Sequence, residues 1–473
     1  MSEKKFLFLV DHKHRDLPSL SLIAYFLNKS GCIAKLVGIG FEDDLISQFD
    51  PDFVVLPKPV YDFKKLIEWK ILGRKIIVVE SEGNPQDIAY KIRIRVAPEL
   101  FCFWSEEIKE RYRNQLEKSG TKLEVIGFHR SDLLHKKYLD LFPAKEELLT
   151  SYGLDPNKKT ITIATSTQDS HFSDSRVSRK YKRRNRSLSE TADYIEIVSN
   201  MRKLRDVTEK IIKIICSKFP EINLAIKPHP NENTVYWNEF INEIGAKNVA
   251  LVVGQPINHL LKVSDLHIAH NVCTTTIESL MSEVPTMEIH TDKSKDLYQQ
   301  EHLLMANYIV REPDMIIPVI KTVLLGDSNV VGIDSIMNDS DIAQYVRRYF
   351  YKFDGERCYE YAKLLNQYAG QEPRIQNNWF KWLVVNPKLY LLYSMVSLRS
   401  ALRKAATFSK YENIEKEVNA PTNSNDRDVC EIEGVLVDKE YGLYDNRMKA
   451  GDEILWYDRF SKHTYIAELL RKS

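Results

Sequence analysis

The chain alternates short apolar runs with longer stretches whose apolar positions recur every three or four residues. In the first half, Phe6–Val10, Ala34–Val37, Phe53–Leu56, Lys75–Val79, Leu100–Trp104 and Leu123–Ile126 are rich in β-branched or aromatic side chains and predict strands. Leu17–Ser30 and Ser105–Gly120 carry helical spacing between them. Strands that are apolar throughout and separated by helices imply a parallel sheet covered on both faces. A second series follows the polar stretch Ser151–Lys159: strands at Thr160–Ala164, Asn223–Ile226, Ala250–Val253, Leu266–Ala269 and Thr286–Ile289, with helices at Asp206–Lys218 and Thr274–Glu283. The pattern predicts an α/β chain of two tandem doubly wound domains, residues 1–150 and 151–330, facing a cleft at the carboxyl ends of both sheets.

The remainder reads differently. Residues 331–419 form a helical extension, with helices predicted at Asp341–Asn366 and Pro387–Thr407, the latter capped by Asn386. Residues 420–473 begin with a linker, Ala420–Asp428, and continue as a small mixed tail. Short strands are expected over Glu431–Tyr457, with turns at Gly442 and Gly451. The aromatic and basic stretch Asn377–Lys404 suits either buried helices or a membrane-proximal surface.

Composition narrows the class of protein. With 67 basic and 66 acidic residues the formal net charge is +1, which removes the basic-domain signature of a nucleic-acid partner. The six cysteines form no CxxC pair, so structural zinc and a redox dithiol are not expected and the thiols read as reduced. The run Phe6–Val10 is too short for a secretory core. The longest apolar stretch, Trp379–Leu398, is broken by Lys381, Asn386, Pro387 and Lys388, so no spanning helix is expected.

Three segments at predicted strand ends could carry chemistry. In Ile226-Lys227-Pro228-His229-Pro230 the prolines fix the backbone around a lysine and a histidine, which suits an anion: Lys227 as point charge, His229 as hydrogen-bond donor. A rigid turn with solvated polar residues is the plain alternative. His270-Asn271-Val272-Cys273-Thr274-Thr275-Thr276 follows a strand and opens a helix, a place where hydroxyls, backbone donors and the helix dipole converge on negative charge. Ordinary capping explains the threonines equally well. Glu80-Ser81-Glu82-Gly83 could present a general base at the cleft, or be a charged turn. Arg176–Arg186 holds seven basic residues in eleven and reads as a solvated loop, with an anionic acceptor or anionic lipid as its functional partners. The three Asp-x-Asp matches, at residues 50, 339 and 426, read as turns, and there is no P-loop, HExxH or complete dinucleotide fingerprint.

Taken in order, these segments resemble a GT-B-fold glycosyltransferase, and more closely the bacterial surface-carbohydrate biosynthesis proteins related to CMP-sugar-dependent Kdo, sialyl- and polysialyltransferases. The likeness covers about residues 5–300: Lys227–Pro230 is similar to the HP motif, Thr274-Thr275 to the Ser/Thr motif, Glu80–Gly83 to an acidic-Gly motif, Gly127–Asp132 to a G-x-x-R-x-D segment, and Arg15-Asp16-Leu17 to an Arg-acidic-Leu. The resemblance implies two Rossmann-like domains and transfer of an acidic sugar from a CMP-activated donor to a lipopolysaccharide or capsule acceptor. His229, Thr274, Thr275 and Thr276 would hold the nucleotide, assisted by Lys227. Glu82 would be the general base, with Asp193, or Asp169 in reserve, as nucleophile if the enzyme retains configuration. Arg15, Arg130, Arg183 and Arg184 would bind the acceptor or another anion. Neither a metal nor any other cofactor is expected, the partners being the nucleotide-sugar donor, a glycan or glycolipid acceptor and the inner-membrane surface, and the location cytoplasmic and peripheral. Ser81 and Phe128-His129 depart from the motifs on the acceptor side. Three alternatives stay open: a CDP-glycerol or polyol-phosphate transferase, a non-catalytic assembly protein of the same fold, and a UDP-sugar enzyme using Glu278 on the ribose.

Overall fold

Alternation within the first strand sets the architecture. In β1 (Lys5–Val10), Phe6, Phe8 and Val10 join one buried cluster while Leu7 and Leu9 join another. That two-residue period places apolar side chains on both faces of the sheet. The computed structural model describes residues 3–59, 61–81, 94, 96–168, 170–174, 177, 188–230, 232–270, 273–291, 306–327, 339–371, 431–432, 435–436, 448–449 and 451–472.

The first sheet adds β2 (Ile33–Gly38), β3 (Phe53–Leu56), β4 (Lys75–Val79), β5 (Leu100–Phe103) and β6 (Lys122–Val125), in the order β2-β1-β3-β4-β5-β6. The second contains β7 (Thr160–Ala164), β8 (Asn223–Lys227), β9 (Val249–Leu251), β10 (Leu266–His270), β11 (Thr286–Ile289) and β12 (Tyr308–Val310), in the order β12-β11-β10-β7-β8-β9. Every pairing in both sheets is parallel. The doubly wound pair expected from the pattern is therefore present, with the three-residue edge strand β12 as an addition. Strand order reverses beside β1 and beside β7, and in such sheets ligands sit outside the carboxyl ends at these points.

The C-terminal extension is helical and completes the first domain. Helix Arg357–Gln371 contributes Tyr361, Leu365 and Tyr368 to the cluster that covers Phe6, Phe8 and the helix Leu17–Lys29. The predicted helix Asp341–Asn366 is in fact two, Asp339–Phe350 and Arg357–Gln371, broken at Tyr351 and Gly355, which both have positive φ. In the tail, Glu431–Ile432 and Val435–Leu436 pair as two short antiparallel strands. Beyond them the expected strands are replaced by the helices Asp452–Lys462 and Thr464–Lys472. Gly451, read as a turn, is the N-cap of the first of these. Tyr457 and Phe460 pack their rings against Tyr25. The predicted helix Pro387–Thr407 and the linker Ala420–Asp428 lie outside the described residues. Among the described residues, no helix is long and apolar enough to cross a membrane, and Cys32, Cys102, Cys216, Cys273 and Cys358 are free.

Candidate functional site

Four loops leave the carboxyl ends of β1, β7, β8 and β10. The loop after β8 carries Lys227, Pro228 and His229, with Pro228 buried and both polar residues part-buried. A buried carboxylate below it fixes its shape. Glu232 accepts from Thr165 Oγ1 at 2.5 Å, from Trp237 Nε1 at 2.7 Å and from the backbone N–H of Thr167. One side chain thus ties the loop after β7 to the loop after β8, and burial raises its pKa even against these donors. His270, at the end of β10, is also structural. Its Nδ1 accepts from Ser166 N at 2.9 Å and its Nε2 lies 2.9 Å from Thr208 Oγ1.

The loop after β1 faces this surface from the other domain. Its sequence is Asp11-His12-Lys13-His14-Arg15-Asp16. Asp16 is fully buried and takes both arms of Arg15, at 2.8 and 2.9 Å, together with the His12 backbone N–H at 3.1 Å. Burial pushes the Asp16 carboxyl up, but the charge and hydrogen bonds of Arg15, with Arg130 behind, outweigh it and hold its pKa below the usual value. Lys13 extends away to Asp452 in the tail helix at 2.7 Å.

The electrostatics of these two loops are coupled. Burial lowers Lys227 to about 8, with Glu278 pulling the other way. His229 falls to about 4 through burial and then the charges of Lys227 and Arg15. His14 falls to about 4 through burial and then Lys227. At neutral pH the cleft holds one largely protonated lysine among neutral imidazoles, an arrangement that gains stability from an arriving anion.

The helix Thr274–Met281 closes the site from the β10 side. Thr274 and Thr275 are part-buried in its first turn, which contains no acidic residue. Thr276, expected beside them as a nucleotide ligand, is fully buried and donates to Glu288 Oε1 at 2.6 Å, and Glu288 also bonds His290 at 2.7 Å. Helical rotation turns the third threonine into the core. Arg130, expected to bind the acceptor or another anion, forms a buried ion pair with Glu278 and donates to the Ser81 carbonyl at 3.3 Å. That pair joins the first domain to the helix Thr274–Met281 of the second. Glu82, Asp169, Arg183 and Arg184 lie outside the described residues. Asp193 sits in the helix Leu188–Lys218, but its side chain is not among those described. In the sequence His14 stands only at the head of the Arg-acidic-Leu likeness and His12 has no expected role, although two histidines around a lysine directly after a first strand are a legible signal.

No protein-family profile and no curated protein matches the sequence. Solved structures do match. The S. aureus MnaA–UDP co-structure aligns with a TM-score of 0.50 at 10% identity, covering 78% of this chain and 98% of that one. The wall teichoic acid polymerase TagF aligns with a TM-score of 0.50 at 11% identity, covering 78% of this chain and 89% of that one. The chain has the GT-B fold. β1 belongs to the first sheet and β8 to the second, and the Arg130–Glu278 pair bridges the two domains. Among the described residues, no group of three or more His, Cys, Asp or Glu side chains is placed to hold a metal ion.

Proposed function

We infer that this chain is a glycosyltransferase of bacterial surface-glycan synthesis that takes an acidic sugar from a CMP-activated donor. One observation carries the reading: Lys227 and His229, at the carboxyl end of β8 beside two prolines, lie within electrostatic reach of His14 and Arg15 on the loop after β1. The structure of MnaA, which shares the fold, holds UDP. A CMP-linked ulosonic acid brings a phosphate leaving group and a carboxylate, two anions for a cleft with donors on both walls.

In the transfer, the bond from the anomeric carbon to the phosphate oxygen breaks and its electron pair stays on the phosphate. Lys227 and the neutral His229 donate to the oxygen that gains charge, with the helix start at Thr274 beside them. The acceptor hydroxyl bonds to the anomeric carbon and loses its proton to a carboxylate. Glu82 holds that role by its position in the sequence, one residue beyond the Ser81 carbonyl that Arg130 grips. A retaining enzyme would need a second carboxylate, for which Asp193 is the candidate.

Thermal unfolding against CMP, CDP, UDP and GDP, with and without EDTA, tests this. A ligand at about a hundred times its dissociation constant stabilises by roughly 2.7 kcal/mol. The expected result is a CMP-selective rise that survives EDTA and vanishes in His229→Ala. A rise with CDP alone would replace the reading with polyol-phosphate transfer, and a rise with UDP alone or with none would overturn it.

A further inference from the structure

The strand order of the first sheet reverses between β1 and β3, which are neighbours although β2 lies between them in the chain. A charged side chain follows each carboxyl end there. Asp11 comes directly after β1, and Lys58 stands two residues after β3. Lys58 Nζ donates to Asp11 Oδ2 at 2.8 Å, so the pair spans the crevice in which such a sheet receives a ligand. Both side chains stay open to water, Lys58 at 36% and Asp11 at 25% exposure.

Both residues are held in place before any ligand arrives. Lys58 lies between Pro57 and Pro59, both buried, whose rings fix the backbone on either side of it. The Pro57 carbonyl accepts from Ser81 N at 2.8 Å and from Ser81 Oγ at 3.2 Å. The Ser81 carbonyl in turn accepts from Arg130, the partner of Glu278. Direct bonds thus connect the Lys58 turn to the helix Thr274–Met281, so this crevice lies on the side of the first domain that meets the second. Asp11 Oδ2 also accepts from Arg15 at 3.2 Å, and Arg15 is fixed by both oxygens of the buried Asp16. Among the described residues both cations bond Oδ2 of Asp11 and none bonds Oδ1. Side chains fixed in this way lose little freedom on binding.

Charge decides what this corner takes. Lys58 and Arg15 are matched by Asp11 and Asp16, and Lys13 by Asp452. His12 and His14 are neutral at pH 7. The sum is zero, and an arriving anion would have to displace a carboxylate from its cation. A sugar hydroxyl meets no such cost, because it donates to a carboxylate and accepts from an ammonium, and two adjacent hydroxyls can engage both groups together. We propose that Asp11 and Lys58 form the acceptor subsite, and that they select an uncharged sugar by bonding two of its adjacent hydroxyls. The assignment rests on the glycosyltransferase reading above, but not on its CMP-linked donor.

Saturation-transfer NMR on wild type, Asp11→Asn and Lys58→Met tests this, with and without CMP. The probes are the methyl glycosides of glucose, galactose and N-acetylglucosamine, and methyl glucuronide as the acidic counterpart. Wild type should bind at least one uncharged glycoside and prefer it to the glucuronide. A hydrogen bond to a charged group is worth roughly a 10- to 100-fold change in affinity. Asp11→Asn should weaken the uncharged glycoside by that factor and strengthen the glucuronide, because the corner then carries a net positive charge. Lys58→Met should weaken the same glycoside without admitting the glucuronide. A merely structural role for the pair would not invert the preference between neutral and acidic sugars. Unchanged glycoside affinity in both variants would overturn the assignment, as would a wild type that prefers the glucuronide or binds none of the four. Should Asp11→Asn fail to fold, Lys58→Met decides alone. Glycoside binding that depends on Asp11 and Lys58 in a protein that does not bind CMP would sink the donor reading and leave this subsite standing.

Discussion

Replacing Lys227 by methionine should stabilise the ligand-free protein while abolishing its response to nucleotide. The ammonium sits at the end of β8, part-buried, and is lowered from 10.5 to about 8 chiefly by desolvation. At roughly 1.4 kcal/mol per tenfold change in proton affinity, this corresponds to about 3 kcal/mol of unfavourable charge burial. Methionine keeps the stem's length and removes the charge. Glu278 loses one source of attraction but retains Arg130, so part of the gain is offset. A net increase of about 1–3 kcal/mol at pH 7 is expected. The pH dependence has a definite sign. Below about pH 8 the lysine is charged in both native and unfolded chains, and the native state bears the full penalty. Between about 8 and 10.5 the native lysine sheds its proton first, so wild type gains stability and the gap to Lys227→Met closes. Urea unfolding of both proteins at pH 7, 8.5 and 10 measures this. A variant less stable than wild type at pH 7, or a gap independent of pH, would refute the reasoning.

Two further outcomes follow from other buried charges. Arg130→Met leaves Glu278 buried and unpaired, and should cost about 3–5 kcal/mol, most of it restored in the Arg130→Met/Glu278→Leu double variant; urea midpoints of the three proteins show whether the coupling exists. Burial pushes the Asp132 carboxyl up to about 7, against the backbone donors of Cys358 and Arg357. Its stabilising contribution is complete below the ordinary 3.8 and is lost as pH rises through 7, so wild type should lose at most roughly 4 kcal/mol relative to Asp132→Asn over that window. Parallel stability curves between pH 4 and 7.5 would contradict the assignment.

The strands were the most legible part of the sequence. Phe53–Leu56, Lys75–Val79, Thr160–Ala164 and Thr286–Ile289 have the bounds the apolar runs suggest, because a strand buried on both faces leaves little room for polar residues. The short helices Glu42–Phe49, Phe63–Ile71 and Ile257–Val263 were missed, since two turns give too few apolar positions to establish a period. Lys227 and His229 stand out in the sequence because prolines and a strand end mark their place. The role of Arg130 was hidden, as its partner lies 148 positions away and only the fold brings the two together. Thr274, Thr275 and Thr276 look alike in one dimension, and a helix separates them by aiming the third at Glu288.

The segment Gly127–Asp132 grips the far end of the chain. Gly127 accepts from the Tyr361 hydroxyl at 2.9 Å, and Asp132 accepts the backbone N–H groups of Arg357 and Cys358 at 3.0 and 2.7 Å. The cluster beneath it includes Phe460, Ile466 and Leu469 along with Phe6 and Phe8. A ribosome therefore releases the first sheet long before the residues that seal one of its faces exist. At about 5–20 residues per second the exposed face waits on the order of tens of seconds. The second domain, whose own core runs from Ile161 to Ile320, has everything it needs earlier. The domain that is synthesised first is thus the one whose core is completed last.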